Sequence, residues 1–192
     1  TKGMLGVDYN QFDYEGSRGT IDAITIMTGA DHTFNPNVTG FGRIGASFNS
    51  VDSATSDDTT TPYFDAGLDY NPTERTSFNV NAGYSLYRAN NSFYNAQNRF
   101  KMGLGVRHDL TAKISVSSFL SYINSAYDAK YALGGTGDVS DNWFQWNVRG
   151  SYQINRNNFV ELGYEFNDRT VDTGIVSEWQ RNRVDIGWRL RL

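Results

Sequence analysis

A chain of 192 residues with 39% hydrophobic content, a mean hydropathy of -0.54 and no cysteine excludes helical membrane spans, a disulfide framework and thiolate metal sites. The net charge of -4 is spread without a basic block, which argues against a nucleic-acid partner. Aromatics nevertheless reach 15%, with 19 Gly and only 3 Pro, a mixture suited to strands in which every second residue is apolar. The chain begins at Thr1 without an apolar signal segment and reads as a mature or excised chain.

The first predicted element, residues 4–12, sets Leu5, Val7 and Tyr9 on one parity and Gly6, Asp8 and Asn10 on the other. A period of two is strand geometry, because successive side chains point to opposite faces. After the polar link Glu15-Gly16-Ser17, Ile24, Ile26, Thr28, Ala30, His32 and Phe34 alternate with Thr25, Met27, Gly29 and Asp31. The turn Asn35-Pro36-Asn37 leads to Ile44, Ala46 and Phe48 against Arg43, Gly45, Ser47 and Asn49, and a long acidic loop is expected from Val51 to Thr61. Next comes a hairpin with Phe64, Ala66, Leu68 and Tyr70 on one arm and Phe78, Val80, Ala82, Tyr84 and Leu86 on the other. Asp65 and Asp69 share the opposite parity, and the turn is expected at Asn71–Arg75.

The second half repeats the pattern. Phe100, Met102, Leu104 and Val106 alternate with Arg99, Lys101, Gly103, Gly105 and Arg107, and after the turn Asp109–Lys113 come Ile114, Val116, Leu120 and Tyr122. A long loop is expected from about Asn124 to Asp141. Phe144, Trp146, Val148 and Tyr152 oppose Gln145, Asn147, Arg149 and Ser151; beyond the turn at 155–158, Val160, Leu162, Tyr164 and Phe166 oppose Glu161, Gly163 and Glu165. Last, Val184, Ile186, Trp188 and Leu190 oppose Arg183, Asp185, Gly187, Arg189 and Arg191.

These strands, each roughly 9 to 15 residues, are long enough to cross a bilayer at a tilt and exceed the ~5–6 residues usual in soluble sheets. Tight turns alternate with longer polar links. The expectation is therefore an all-β fold: an antiparallel up-and-down transmembrane β-barrel of about ten strands, with short periplasmic turns, longer extracellular loops and residues 1–192 as a single domain in the cell outer membrane. The aromatics near strand ends, Phe34, Tyr70, Phe78 and Tyr152 toward the turns and Tyr84, Tyr122, Trp146 and Tyr164 toward the loops, with Trp188 on the last strand, are expected to form interfacial girdles in contact with outer-membrane lipid and lipopolysaccharide. The opposite face carries Asp8, Arg43, Asp65, Asp69, Arg99, Lys101, Arg107, Arg149, Glu161, Glu165, Arg181, Arg183, Asp185 and Arg189. So many charges cannot lie dry in a soluble core, whereas across a narrow wet lumen they pair and stay hydrated.

The recurring grammar of alternating strand, turn such as YNPTERTSF at 70–78 or RHDLTAKIS at 107–115, and alternating return strand resembles the putative beta-barrel porin type 2 family of Gram-negative outer-membrane proteins. The resemblance implies transport, a barrel usually of more than ten strands, and association with exopolysaccharide export loci. The ending RVDIGWRLRL resembles the last strand by which barrels are recognised for insertion, with Leu192 in place of the usual final aromatic.

No Gly-Xaa-Ser-Xaa-Gly elbow is present, so no catalytic residue, metal or cofactor is assigned. His32 and His108 read as interfacial side chains, and Asp52, Asp57, Asp58, Asp138 and Asp141 as solvated loop acids. The charged face is the one constellation expected to carry function. Glu161 and Glu165 should sit between Arg149 and the arginines of the last strand, which should in turn close against Asp8. Two readings stand: a narrow pore or accessory channel for small solutes or an exported polysaccharide, and a closed structural or surface-binding barrel that acts through its extracellular loops.

Overall fold

The computed structural model describes residues 1–13, 20–51, 58–89, 94, 96–128, 137–172 and 178–191. Ten strands follow one another: β1 (Lys2–Asp13), β2 (Thr20–Asn35), β3 (Val38–Val51), β4 (Thr59–Thr73), β5 (Thr76–Arg88), β6 (Ala96–Asp109), β7 (Ile114–Tyr127), β8 (Val139–Gln153), β9 (Asn158–Val171) and β10 (Trp179–Leu190). Each pairs antiparallel with its neighbours in sequence, giving one up-and-down sheet in the order β1 to β10, with no helix among the described residues. The shortest strands have 12 residues. At about 3.3 Å per residue and a tilt near 45° they rise roughly 28 Å, which matches the ~25 Å apolar band of a membrane barrel.

Four short turns hold the same end of the sheet, and each depends on one side-chain oxygen that takes up backbone N–H groups the ladder leaves free. Asn35 Oδ1 accepts from Asn37 N at 2.8 Å and Thr73 Oγ1 from Arg75 N at 3.3 Å. Thr111 Oγ1 accepts from Lys113 N and Ile114 N at 3.1 and 3.0 Å, and Asn155 Oδ1 from Asn157 N and Asn158 N at 3.1 and 3.0 Å. Each turn is also stitched to the strand of the next hairpin by a main-chain bond: Asn71 N to Asn37 O, Asp109 N to Arg75 O, Gln153 N to Lys113 O and Arg191 N to Asn157 O, all 2.7–2.8 Å. The turn end is thereby a continuous rim, and the register of one hairpin sets that of the next.

The strands run further than the alternation alone suggests. Asn71–Thr73 belong to β4, with a register shift between Tyr70 and Thr73, so that turn is Glu74-Arg75. β7 continues to Tyr127, β8 starts at Val139 and β4 at Thr59, which shortens both expected long loops from each side. Short polar residues such as Ser125 and Thr61 satisfy the ladder as well as apolar ones, and hydrophobic period alone cannot see them. Residues 52–57 and 129–136, with Asp52 and Asp57, the links at 15–17 and 90–92, and Leu192 lie outside the described residues.

Burial is inverted relative to a soluble sheet. Leu5, Ile44, Leu162 and Ile186 are among many large apolar side chains left open, while Ser47, Asn49, Thr61, Gln97, Ser125, Asp141 and Asn167 are buried. Parity explains this: most apolar residues of each strand share one face and most polar and charged ones the other, and the paired registers keep the two faces in phase from strand to strand. At the loop end Ile21 of β2 packs on Ala96 of β6, with Leu86 of β5 against them, which brings β2 toward β5 and β6. β1 and β10 each bond one neighbour only, so the expected closing of the last strand against Asp8 is not formed and the sheet has two free edges.

Candidate functional site

The charged face is built by alternation and then organised by register. On β3, Arg43 stands directly opposite Asp65 of β4 and Gly29 of β2. Its guanidinium reaches Asp65 at 3.4 Å and Asp31 at 3.6 Å and lies over the Phe41 ring at 4.7 Å. Across β8–β10 a larger network forms. Arg149 approaches Glu161 at 3.9 Å and Asp185 at 3.7 Å, Arg189 reaches Glu161 at 2.8 Å, and Arg181 reaches Glu165 at 2.7 Å. Glu161 is the hub: it is held from two strands and is only 19% exposed. Isolated exposed pairs contribute little, about 0–1 kcal/mol each, but a shared carboxylate between two guanidinium groups fixes both.

The other expected residues are placed apart from these networks. Asp8 sits on β1 opposite Thr25, at the free edge; Asp69 faces Thr39 and Asn79; and Arg107 pairs with Asp109 of its own strand at 3.4 Å. Arg183 is opposite Glu165 in register, with no ion pair among the described residues. Arg99 and Lys101 both lie over the ring of Tyr87, at 4.8 and 5.5 Å.

Alternation did not single out the buried pair of Arg169 with Asp141, which takes Asp141 out of its expected loop and into β8. Tyr127 O–H donates to the same carboxylate at 3.3 Å. Nor did it single out the large side chains of the polar parity, Phe41, Tyr63, Tyr87, Phe119, Trp143, Phe159 and Trp179. For Phe41 and Phe119 the signal is a glycine on the neighbouring strand. A Cβ on Gly67 would come 2.5 Å from the Phe41 ring, one on Gly103 2.9 Å from Phe119, and one on Gly163 2.6 Å from the Asp185 carboxylate. Each glycine lets a long neighbour lie flat along the wall.

On the apolar face the ring contacts form belts. Phe64 stacks near Tyr84 at 6.3 Å and meets Phe100 at 6.3 Å, and Phe100 meets Tyr122 at 6.4 Å. Phe144 with Phe166 and Trp146 with Tyr164 continue the loop-side set, while Tyr70 stacks near Phe78 beside its turn. Their polar tips are satisfied: Tyr122 O–H donates to Asn142 and Tyr164 O–H to Asn182 at 2.7 Å, and the Trp146 and Trp188 indoles donate to Ser118 and Asn158 at 3.0 Å. Phe34 makes an edge contact with His32, centroids 4.5 Å apart, and Tyr152 is exposed beside its turn. His108 contacts Thr76 at 2.9 Å on this same apolar parity. Among the described residues no group of three His, Asp or Glu side chains converges as a metal site.

A sheet whose every strand divides into these two faces can be compared as a whole, and the family model described as putative beta-barrel porin 2 matches residues 4–192. The chain belongs to this family. No curated protein and no solved structure matches it. For a beta-barrel porin the division has a direct physical sense: hydrocarbon tolerates the belted apolar face, and only water or paired charge tolerates the other.

Proposed function

We propose that the ten strands form the wall of an outer-membrane pore whose lumen is the charged face and whose cargo is small polar solutes. The observation that carries this reading is the Arg149–Glu161–Arg189 network with Asp185: three strands of one face commit their longest side chains to mutual, partly hydrated pairing, which narrows a passage without drying it. In this reading the four stitched turns face the periplasm, the opposite links face outward, and the aromatic belts sit at the two membrane interfaces.

Refolded protein in a planar lipid bilayer tests it. The wild type gives small, discrete conductance steps. Arg149→Ser with Arg189→Ser removes two charges from the narrowing; lowering the barrier by about 1 kcal/mol raises conductance roughly fivefold. No detectable current from either form sinks the pore and leaves a closed scaffold.

A free edge in hydrocarbon leaves main-chain groups unsatisfied, so β1 and β10 must each find a second partner. Their outward rows match in character: Leu5, Val7 and Tyr9 on one, and Val184, Ile186 and Trp188 on the other, all strongly exposed. Pairing these two edges closes the wall and brings Asp8 onto the same face as Arg189. Val7→Cys combined in turn with Ile186→Cys or Trp188→Cys is then expected to form an intrachain disulfide in vesicles. Failure of both combinations means that further strands stand between the edges.

A further inference from the structure

The loop end of the charged face holds a second constellation, separate from the paired network. Gln97, Arg99 and Lys101 project from β6 on that parity, next to Tyr87 of β5 and, with one strand between, Trp143 of β8. Lys101, Ile123 and Trp143 stand in one row of paired registers, so the cation and the indole are two strand spacings apart, about 10 Å. A sugar ring or an organic anion of similar size spans that distance over the Ile123 side chain, which stands between the two on the same face.

Three polar atoms here are buried and without a hydrogen-bond partner: Arg99 Nε, Trp143 Nε1 and Gln97 Oε1. Gln97 is fully buried, its amide nitrogen donating to Arg88 O at 2.9 Å, so its oxygen alone is left over. Buried polar groups are nearly always satisfied, and each exception needs a cause. Arg99 and Lys101 also have no carboxylate in ion-pair range among the described residues; the acids nearest in register, Asp141 for Arg99 and Asp65 for Lys101, each with one strand between, are taken by Arg169 and Arg43. Lys101 and Arg99 instead share the Tyr87 ring, which holds the lysine beside the arginine. Two uncompensated cations and two idle N–H donors, one of them on an aromatic platform, are what a charged oxygen acceptor requires.

The geometry points to a binding subsite for an oxyanion, carboxylate or phosphate, carried by a sugar-sized solute. Arg99 is the principal charge-assisted donor, Trp143 the second donor and apolar platform, and Lys101 the flanking charge. This deepens the pore reading, since a site on a lumen wall selects what passes.

The test is equilibrium binding to the folded protein in detergent micelles, read by tryptophan fluorescence, with glucuronate, glucose 6-phosphate and neutral glucose as probes. Saturable change is expected with one or both anions and not with glucose; the stronger of the two names the oxyanion. Arg99→Gln should weaken binding about tenfold, Arg99→Lys by less, and Trp143→Phe should remove most of the signal. Heat-modifiable gel migration establishes that each variant is folded. Equal responses to glucose and the anions, no saturable response to any probe, or affinity unchanged in folded Arg99→Gln overturns the subsite. Binding and conduction fail separately: saturable binding in a protein that passes no current keeps the subsite and removes the pore, and current without binding does the reverse.

Discussion

Leu104→Arg is expected to cost about 2–4 kcal/mol of stability in phospholipid vesicles, while Asn147→Arg on the other face is close to neutral. Leu104 lies at the middle of β6, between Val80 and Leu120 on the apolar face, and is 48% exposed. In a sheet that met water there, an arginine would be harmless, since exposed surface substitutions usually fall within about ±0.5 kcal/mol. In hydrocarbon it must carry its charge to the interface or thin the bilayer. Asn147 is also exposed and mid-strand, but it stands opposite Glu165, so an added guanidinium gains an acceptor. Denaturant unfolding in vesicles, followed by tryptophan fluorescence, measures both. Equal midpoints for Leu104→Arg and the wild type would show that the apolar face does not meet lipid, and would remove the membrane reading altogether.

The difference between the two faces was legible because a strand has a period of two, and ten strands kept the same phase. Phe64, Ala66, Leu68 and Tyr70 against Asp65 and Asp69 already contain the division, and the turn residues Asn35, Thr73, Thr111 and Asn155 carry side chains able to cap their own backbone. What the chain does not spell out is register. Whether Arg149 meets Glu161 or Glu165 depends on how far β9 is staggered against β8, and Ser151, not Arg149, turns out to be directly opposite Glu161. The guanidinium reaches its acid diagonally. Strand ends were hidden for another reason: Ser125, Asp141 and Thr61 continue the ladder with polar side chains that look like loop. The aromatics of the charged face were hidden by their parity, because Phe41 or Phe119 reads as an interruption until Gly67 or Gly103 on the neighbouring strand is seen as the space it fills.

Asp141→Asn is expected to destabilise the protein by about 3 kcal/mol, near the lower end of the cost of breaking a buried ion pair. Asp141 is 3% exposed and accepts from both the Arg169 guanidinium and the Tyr127 hydroxyl, while the Arg169 side chain is only 15% exposed. Neutralising the acid therefore leaves a buried cation that water cannot fully reach. Replacing both partners, Asp141→Leu with Arg169→Met, removes that uncompensated charge and should recover most of the loss, because an apolar pair of similar volume is often as stable as a buried ion pair. Unfolding midpoints of Asp141→Leu, Arg169→Met and their double variant in vesicles give the coupling directly; a coupling below about 0.5 kcal/mol would mean that water screens the pair and that the loop end of this face is open. The cycle also bears on the neighbouring subsite. Trp143 is directly opposite Arg169 in register. Arg169→Met alone leaves Asp141 without its cation and is expected to lose the fluorescence response to anions as the acid turns to Arg99, whereas the double variant, with no acid at 141, keeps it; loss in both would mean that the pair serves the subsite only by holding β8 against β9.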